Sequence, residues 1–345
     1  MKLLYIGQRI DRVTSGADQV NKRNQQLLMK IFLEQVTYLE PSVKGVLDKL
    51  VFGINRKMIA SVKRELDKGE YTHLFIAQSL MGRIAKYVKQ NYPSVVIITF
   101  FHNIELQYAQ EYLRITGIRT LPFYLSVKLW ERVGCQNTDK FITLNKRDSA
   151  LLKKIYDNDT SIELPTSFED KFDEEQNQKL ILNESDQIDY LFVGVAFFAN
   201  IQGVQWFIDN VMPSVKGHFH VVGKGMDNVN FKNVTDNIHI HGYVDELAEF
   251  YYKAGMVVSP IFVGGGMKTK TAEALMFGKT IVGTSEAFEG YIFDSRCMHL
   301  CSNAEDFVET INSLNGIQKF NKQSRELYNN NYSTRAAHQK LRQLF

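Results

Sequence analysis

Short apolar runs alternate with longer helical patterns along almost the whole of this 345-residue chain. Apolar runs that end at glycine, proline or serine are typical of buried strands, and the segments between them are rich in helix-forming residues. In residues 1–165 the predicted strands are 2–6, 36–39, 73–77, 95–101, 140–144 and 161–164, and the predicted helices are 19–32, 56–68, 83–91, 122–134 and 146–156. This alternation predicts an α/β fold with parallel sheets.

The alternation restarts after a polar, acidic stretch at 168–189. Predicted strands follow at 190–193, 218–222, 238–241, 256–259 and 281–284, with predicted helices at 201–211 and 245–253 and in the basic tail from 322. We therefore predict two Rossmann-like domains, residues 1–165 and 166–322, and a C-terminal helix, 323–345, that returns to the first domain. Open parallel sheets bind ligands beyond the carboxyl ends of their strands, so we expect the site in a cleft between the two domains.

The charges are unevenly distributed, although the net charge is only +3. Residues 1–165 hold 25 Lys and Arg against 16 Asp and Glu, a net charge of +9, and the remainder carries −6. This asymmetry favours an anionic partner for the first domain, a membrane surface or a phosphate-bearing acceptor, and the alternative is an ordinary solvated surface. No basic run with interleaved aromatic residues occurs, which argues against nucleic acid.

The segment 118–134 combines large apolar residues with Arg119, Lys128 and Arg132. Such a pattern is typical either of a helix that docks on a membrane or of an ordinary helix that faces the core. No apolar run is long enough to span a membrane, and the amino terminus begins with a strand rather than a secretory signal. The three cysteines form neither a disulfide framework nor a zinc site. We therefore predict a cytoplasmic protein with reduced thiols that contacts the inner face of the membrane if its basic domain docks there.

The segment from Gly264 to Ala274 carries the strongest functional signal. Three glycines and two lysines, Lys268 and Lys270, stand where the predicted strand 256–259 leads into a helix. Glycines let backbone N–H groups approach a ligand, and a helix N-terminus attracts anions. Glu273, one turn into the helix, can accept hydrogen bonds from sugar hydroxyls. A diphosphate and a diol bound together indicate a nucleotide sugar, and the alternative is two solvated lysines beside a glutamate favoured by the helix dipole.

Spaced motifs between residues 190 and 290 resemble the group 1 glycosyltransferases of the GT-B fold, the retaining type often called GT4. They are the run 191–194 with Asn200 and 206–207, the run 221–225, the run 239–244 with Leu247 and 251–252, and the run 264–274 with Gly278, Val282 and 289–290. In the first half the resemblance is carried by 15–17 and by His102 with Asn103. One subgroup of the family has a glycine triplet followed by two lysines and a single glutamate, and this chain resembles that subgroup.

The resemblance implies the GT-B architecture of two facing Rossmann-like domains and a role for each matched residue. His102, Lys268 and Lys270 are the implied catalytic residues, and the two lysines would neutralise the leaving diphosphate. The implied donor-binding residues are Gly16, Gly194, Gly223, Val244, Gly265, Gly266, Met267, Lys268, Lys270 and Glu273. The implied acceptor-binding residues are His102, Asn103 and Glu105. We expect no metal and no cofactor beyond the nucleotide-sugar substrate.

Two places depart from the family pattern. Gly265 stands where many members carry the first of two glutamates, so sugar contacts would come from the backbone amides of Gly265, Gly266 and Met267. Val195 and Gln202 stand where many members carry an arginine and a lysine, which leaves the diphosphate to the two lysines of the loop.

The implied function is transfer of a sugar, with retention of configuration, from a nucleoside-diphosphate sugar to a glycan or lipid-linked saccharide, as in polysaccharide biosynthesis. A UDP-sugar is the favoured donor. A nucleotide-sugar epimerase and a non-catalytic partner subunit are alternatives on the same fold, and product analysis separates them. A dinucleotide-binding oxidoreductase is disfavoured because Gly223-Lys224-Gly225 lacks the third glycine of the fingerprint.

Overall fold

The computed structural model describes residues 1–11, 16–181, 188–263, 267–314 and 319–345. These residues form two compact units, residues 1–166 together with 337–345, and residues 167–336. Each unit contains a six-stranded sheet in which every neighbouring pair of strands is parallel. The predicted α/β fold with two parallel sheets is confirmed.

The sheet of the first unit has the strand order β2-β1-β3-β4-β5-β6. Its strands are β1 (Leu3–Ile6), β2 (Val36–Leu39), β3 (His73–Ile76), β4 (Val96–Phe101), β5 (Lys140–Thr143) and β6 (Ile162–Glu163). Its helices are α1 (Gly16–Ile31), α2 (Val46–Leu50), α3 (Arg56–Leu66), α4 (Gly82–Asn91), α5 (Glu105–Thr116), α6 (Leu121–Asn137) and α7 (Lys146–Tyr156). Leu3 and Tyr5 of β1 pack into one apolar cluster, and Leu4 and Ile6 pack into a second one. Because successive side chains of a strand point to opposite faces, helices must cover both faces of this sheet.

The sheet of the second unit has the strand order β12-β11-β10-β7-β8-β9. Its strands are β7 (Ile188–Val193), β8 (Phe219–Val222), β9 (Ile238–His241), β10 (Ala254–Ser259), β11 (Thr280–Gly283) and β12 (Met298–Leu300). Its helices are α8 (Glu174–Ile181), α9 (Phe198–Asn210), α10 (Leu247–Lys253), α11 (Thr269–Met276), α12 (Ala304–Leu314) and α13 (Lys322–Asn331). The side chains of β7 alternate between two clusters, with Tyr190 and Phe192 in one and Leu191 and Val193 in the other.

The C-terminal tail consists of two helices, α13 and α14 (Thr334–Arg342), rather than one. The division between the units falls at 336/337, within α14, and not at 322/323. Leu341 and Leu344 are buried in the core of the first unit, where the ring of Phe345 meets that of Phe32 with centroids 4.8 Å apart. Residues 337–345 therefore complete the apolar core of the first unit.

The predicted strands 36–39 and 238–241 match β2 and β9 residue for residue, and the predicted helix 146–156 matches α7. Four elements were not predicted, namely α2, α5, α12 and the edge strand β12. Among the described helices, none is both long enough and apolar enough to cross a membrane.

Candidate functional site

In the second unit, β7 and β10 lie side by side in the sheet although two strands, β8 and β9, separate them along the chain. The chain continues from β7 to β8 on one side and from β10 to β11 on the other, so the strand order reverses between them. The carboxyl ends of two such strands frame the crevice in which doubly wound sheets bind ligands. Gly194 directly follows β7 and Pro260 directly follows β10, so both border this crevice.

The glycine triplet 264–266, with the predicted donor residues Gly265 and Gly266, lies outside the described residues. The residues before and after the triplet accept hydrogen bonds from the segment that follows β11. The hydroxyl of Thr284 donates a hydrogen bond to the carbonyl of Ile261, and the hydroxyl of Tyr291 donates to the carbonyl of Lys268 at 2.6 Å. The two ends of the loop are therefore held by one neighbouring segment of the second unit.

Three glycines let backbone segments come close together around the crevice. A Cβ atom at Gly223 would lie 2.0 Å from the carbonyl oxygen of Gly194, and one at Gly203 of α9 would lie 2.1 Å from the carbonyl oxygen of Pro260. A Cβ atom at Gly194 would lie 3.0 Å from Nζ of Lys270. Gly223 and Gly203 thus serve close packing, and Gly194 leaves space for a charged side chain.

Lys270 is the second residue of α11, and its side chain is buried, with only 7% of the residue exposed. Its Nζ donates a hydrogen bond to Oδ1 of Asn200 at 2.7 Å and lies 3.9 Å from the centre of the Phe192 ring. Burial, together with the nearby ammonium of Lys268, lowers the pKa of Lys270 to about 7, and the Glu273 carboxylate acts in the opposite direction. A buried ammonium whose partners are neutral is a strong site for an anion.

Glu273 lies one turn further along α11. Its Oε2 accepts a hydrogen bond from the hydroxyl of Tyr251 at 3.1 Å, and Tyr251 is a fully buried residue of α10. Burial raises the pKa of Glu273, while the Tyr251 hydroxyl and the charges of Lys171 and Lys270 oppose that shift. Among the described residues no hydrogen bond occupies Oε1, so one carboxylate oxygen is held in place and the other can accept a hydroxyl from a ligand.

Lys268 has a different environment from Lys270. Its Nζ lies 2.6 Å from Oε1 of Glu286, a residue of the short 3₁₀ turn after β11, and both side chains are largely buried. The sequence predicted one role for both lysines, whereas the structure places Lys268 against a carboxylate and Lys270 against a neutral amide. Among the described residues, Lys270 is therefore the loop lysine whose ammonium has no carboxylate as its hydrogen-bond partner.

The remaining predicted donor residues have apolar surroundings. Val244, which follows β9, and Met267, which precedes the loop lysines, are half-buried and pack against the second core cluster of the unit. Val195, at a place where the family pattern has a charged residue, is exposed. Among the predicted donor residues that the structure describes, Lys268 and Lys270 are therefore the ones that bring positive charge to the crevice.

Three residues of this site were missed as site residues by the sequence analysis, namely Asn200, Tyr251 and Glu286. Asn200 was noted only as part of the resemblance to a family. Its position near the start of a helix, three strands away from Lys270 in the chain, gave no sign of their contact. Tyr251 was likewise noted only within the resemblance, which gave no sign of its hydrogen bond to Glu273, and Glu286 lies in a turn.

In the first unit, His102 directly follows β4 and its Nε2 lies 3.0 Å from Oδ1 of Asn21 on α1. Its ring meets the edge of Phe100 with centroids 4.8 Å apart. Burial, together with the guanidinium of Arg23, lowers the pKa of His102 to about 4, so the ring is neutral at physiological pH. A neutral imidazole can exchange hydrogen bonds with a hydroxyl but supplies no charge. Asn103, the next residue, is exposed.

Glu105 is the first residue of α5, and burial together with the neighbouring Glu131 raises its pKa to about 7. Glu131 is fully buried and accepts hydrogen bonds from the backbone N–H groups of Glu105 and Leu106 at 3.0 and 2.9 Å. It also accepts from the hydroxyls of Ser79 and Tyr156. The Glu131 carboxylate thus satisfies two backbone N–H groups in the first turn of α5.

The predicted residue Gly16 is the first residue of α1, and the loop before it, 12–15, lies outside the described residues. The predicted site residues thus form one group in each unit, the first at α1 and the end of β4 and the second around α11. Within the part of the chain that the structure describes, no three His, Cys, Asp or Glu side chains are arranged to hold a metal ion.

Comparison with protein families gives a match over residues 187–315, to the family described as "Glycosyl transferases group 1". The matched segment contains β7 to β12 and both lysines of the loop. Residues 187–315 are therefore similar to the group 1 glycosyl transferase domain, and this similarity implies transferase activity. A comparison with curated protein sequences gives no match.

The chain is also similar to solved structures over nearly its whole length. Sucrose-phosphate synthase from Thermosynechococcus elongatus has a TM-score of 0.66 at 14% identity, over 100% of this chain and 98% of that one. Alr3699/HepE from Anabaena, in complex with UDP, has a TM-score of 0.64 at 12% identity, over 100% and 99%. WaaG, a glycosyltransferase involved in lipopolysaccharide biosynthesis, has a TM-score of 0.60 at 15% identity, over 99% of each chain. At these identities the likeness establishes the fold, which is GT-B.

Proposed function

We propose that this enzyme transfers a sugar from a nucleoside-diphosphate sugar to a hydroxyl of a glycan or lipid-linked saccharide, with retention of the anomeric configuration. The observation that carries the proposal is the buried Lys270 ammonium beside a neutral amide at the N-terminus of α11. Cleavage of the glycosidic bond develops negative charge on the diphosphate, and a preorganised cation there stabilises the leaving group. The sequence of residues 264–273 resembles the GT4 pattern of three glycines, two lysines and one glutamate, which supports this proposal.

Glu273 supplies the second half of donor recognition in this proposal. Its free carboxylate oxygen lies on the same helix as Lys270, three residues on, so both face one side of α11. A carboxylate can accept hydrogen bonds from two hydroxyl groups, and the ribose of a nucleotide carries two neighbouring hydroxyls. UDP is the favoured nucleotide because the Anabaena protein of the same fold is described in complexes with UDP and with UDP-glucose.

His102, Asn103 and Glu105 are the proposed acceptor-binding residues. The neutral ring of His102 suits hydrogen bonding to a sugar hydroxyl, and the carboxyl of Glu105, whose pKa is raised to about 7, can accept a hydrogen bond from a second one. For a retaining reaction, the leaving diphosphate acts as the base towards the acceptor hydroxyl, and the acceptor attacks on the face that the diphosphate leaves. The chain's own contribution is to hold the diphosphate, exclude water and align the acceptor.

Turnover of nucleotide sugars tests this proposal. The purified protein is incubated with UDP-, GDP-, dTDP- and CDP-sugars and saccharide acceptors, and released diphosphate and the product linkage are measured. We expect one donor to yield free nucleoside diphosphate and a glycoside with the donor's anomeric configuration. An epimerised nucleotide sugar without released diphosphate would indicate an epimerase, and donor binding without turnover would indicate a partner subunit.

A contact with an anionic membrane surface is part of the proposal. Leu125 and Leu129 on α6 are each 52% exposed, and Lys128 and Arg132 lie one turn apart on the same outward stripe. Together these four residues form the α6 surface. Large apolar side chains between basic ones fit the interface of a bilayer with anionic head groups, which the net charge of +9 in residues 1–165 also attracts.

Vesicle sedimentation tests the α6 surface. We expect the protein to sediment with phosphatidylglycerol vesicles at low salt and not with phosphatidylcholine vesicles, and the double variant Leu125→Gln, Leu129→Gln to lose that binding. The control is Leu300→Gln, which changes a residue of the second unit that is also 52% exposed. Equal binding by the double variant, or none by the unaltered protein, would contradict the membrane contact.

A further inference from the structure

Two buried lysines of the second unit have opposite hydrogen-bond environments. Lys279 is fully buried and donates to three backbone carbonyls, those of Tyr252, Ala254 and Lys319, at 3.3, 3.0 and 2.7 Å. Each of its three N–H groups can thus have an acceptor, which suits a structural role. Lys270 donates to one acceptor among the described residues, Oδ1 of Asn200. Its ammonium keeps donor capacity that a ligand can use.

The side chain of Asn200 is itself held at both ends. Its Nδ2 donates to the carbonyl of Val195 at 2.9 Å, while its Oδ1 accepts from Lys270 at 2.7 Å. The helix that carries it, α9, approaches the end of β10 closely because Gly203 has no side chain. The amide therefore links the end of β7 to the first turn of α11, and its orientation is determined by the Val195 carbonyl.

The neutrality of Asn200 has an electrostatic consequence. Lys268 is paired with the Glu286 carboxylate, so that pair carries no net charge. Lys270 faces the Asn200 amide from α9 and the Phe192 ring from β7, and neither group is ionised. A carboxylate at position 200 would sit within salt-bridge distance of Lys270 and cancel the charge that an anion would otherwise meet.

We propose that Asn200 is a positioning residue that holds the Lys270 ammonium in the anion site while leaving its charge available to the diphosphate of the donor. This inference rests on the proposed function, because it assigns a supporting residue to the same donor site. The proposed role requires an uncharged hydrogen-bond acceptor at position 200. A residue that only stabilised the loop after β7 would have no such requirement.

The pH dependence of binding provides the distinguishing readout. The charged groups that act on Lys270 are Lys268 and Glu273, and the groups that face it from α9 and β7 are the Asn200 amide and the Phe192 ring. Since the pKa of Lys270 is lowered to about 7, affinity for a diphosphate should fall as the pH rises above that value. An aspartate at 200 would hold the proton on Lys270 and move this fall to higher pH.

The experiment measures UDP affinity by calorimetry from pH 7 to 9.5 for the unaltered protein, Asn200→Ala, Asn200→Asp and the control Asn210→Asp. Asn210 is an exposed residue at the end of α9, where its amide bonds the Trp206 carbonyl. We expect Asn200→Ala to weaken UDP about fivefold to tenfold, the value of one hydrogen bond, with its pH dependence unmoved. Asn200→Asp should weaken UDP binding at pH 7 at least about tenfold more than Asn200→Ala does. It should also move the pH at which the affinity falls upward by more than about one unit.

Equal weakening by alanine and aspartate, with the pH dependence unmoved in both, would overturn the inference and leave the donor site intact. Affinity of Asn200→Ala equal to that of the unaltered protein would overturn it as well, also in the case that the aspartate variant does not fold. If the unaltered protein binds none of UDP, GDP, dTDP and CDP, the proposed function itself fails, and the proposed role of Asn200 fails with it.

Discussion

At the scale of single residues, two side chains of α11 divide the recognition of the donor between charge and hydrogen bonding. Lys270 brings a buried positive charge, and Glu273 brings a carboxylate with one oxygen held by Tyr251. Each is energetically unfavourable in the unliganded protein because burial disfavours its ionised form. Such residues are expected where a ligand compensates for the cost, and this makes both of them testable without knowledge of the sugar.

Lys270→Met should abolish nucleoside diphosphate binding and raise the thermal stability of the unliganded protein. The folded-state pKa of Lys270, about 7, lies below that of the unfolded chain, about 10.4. The unfolded state therefore binds more protons between these values, and the stability of the unaltered protein rises with pH across that window. The advantage of the methionine variant should be largest at pH 6 and shrink towards pH 10. Melting curves across this range check it, and a pH-independent difference would contradict the assignment.

Glu273→Gln should abolish the preference of the protein for a nucleotide that carries both ribose hydroxyls. We expect the unaltered protein to bind UDP more tightly than 2′,3′-dideoxy-UDP by about tenfold or more, since each hydrogen bond to a charged group contributes about 1.5 kcal/mol or more. In the variant the two affinities should converge. Calorimetry with both nucleotides measures this, and Glu309→Gln, which changes an exposed glutamate of α12, serves as the control. A preference for UDP that survives in Glu273→Gln would place the ribose elsewhere.

At the scale of elements, the site depends on how closely α9 and the strand ends approach one another. Gly203 brings α9 against the carbonyl of Pro260, and Gly223 lies against the carbonyl of Gly194. Asn200 can reach Lys270 only because these contacts bring the end of β7 near the first turn of α11. The geometry of the crevice is therefore a product of backbone packing, which glycine alone permits.

Gly203→Ala should lower both stability and donor affinity. Its Cβ atom would lie 2.1 Å from a backbone carbonyl oxygen, so α9 or the end of β10 has to shift. Overpacking of this kind costs about 1–3 kcal/mol. Gly45→Ala is the matched control, because a Cβ atom at Gly45 would have no other atom within 4 Å and the φ of −134° suits alanine. Thermal unfolding and UDP titration of both variants check it, and a Gly203→Ala protein that binds UDP normally would refute the packing argument.

The elements were predictable to different degrees for physical reasons. β2 was found because Val36–Leu39 consists of strand-forming residues, and β9 was found because isoleucine and histidine alternate up to Gly242. The edge strand β12 was missed since Met298–Leu300 is short and gains its conformation from pairing with β11. In the site, Lys268, Lys270 and Glu273 were found from local spacing. The partners Asn200, Tyr251 and Glu286 were missed because they come from other elements, and no local pattern encodes such contacts.

At the scale of the whole molecule, the chain makes two units with separate cores, and its C-terminal segment belongs to the first of them. Leu341 and Leu344 of that segment are buried with residues of β1, β3 and β4 in one cluster. The two units can therefore be perturbed one at a time, and stability effects should stay with the unit that is changed.

Leu341→Ala should destabilise the first unit. The side chain is fully buried, and truncation of such a leucine costs about 2–5 kcal/mol. Leu47→Ala, which changes a residue that is 79% exposed in the same unit, is the control and should have little effect. Unfolding followed by calorimetry should show an earlier transition in Leu341→Ala than in Leu47→Ala. An unchanged first transition would contradict the placement of the tail.

The central claim, that the crevice beside α11 holds the diphosphate of a nucleotide sugar, is tested most directly by titrating the protein with UDP, GDP, dTDP, CDP and NAD. We predict that one nucleoside diphosphate binds with a single site, that UDP is the strongest candidate, and that the binding disappears in Lys270→Met and weakens in Glu273→Gln. Binding of NAD alone, or a nucleoside diphosphate that binds equally well to Lys270→Met, would contradict the account.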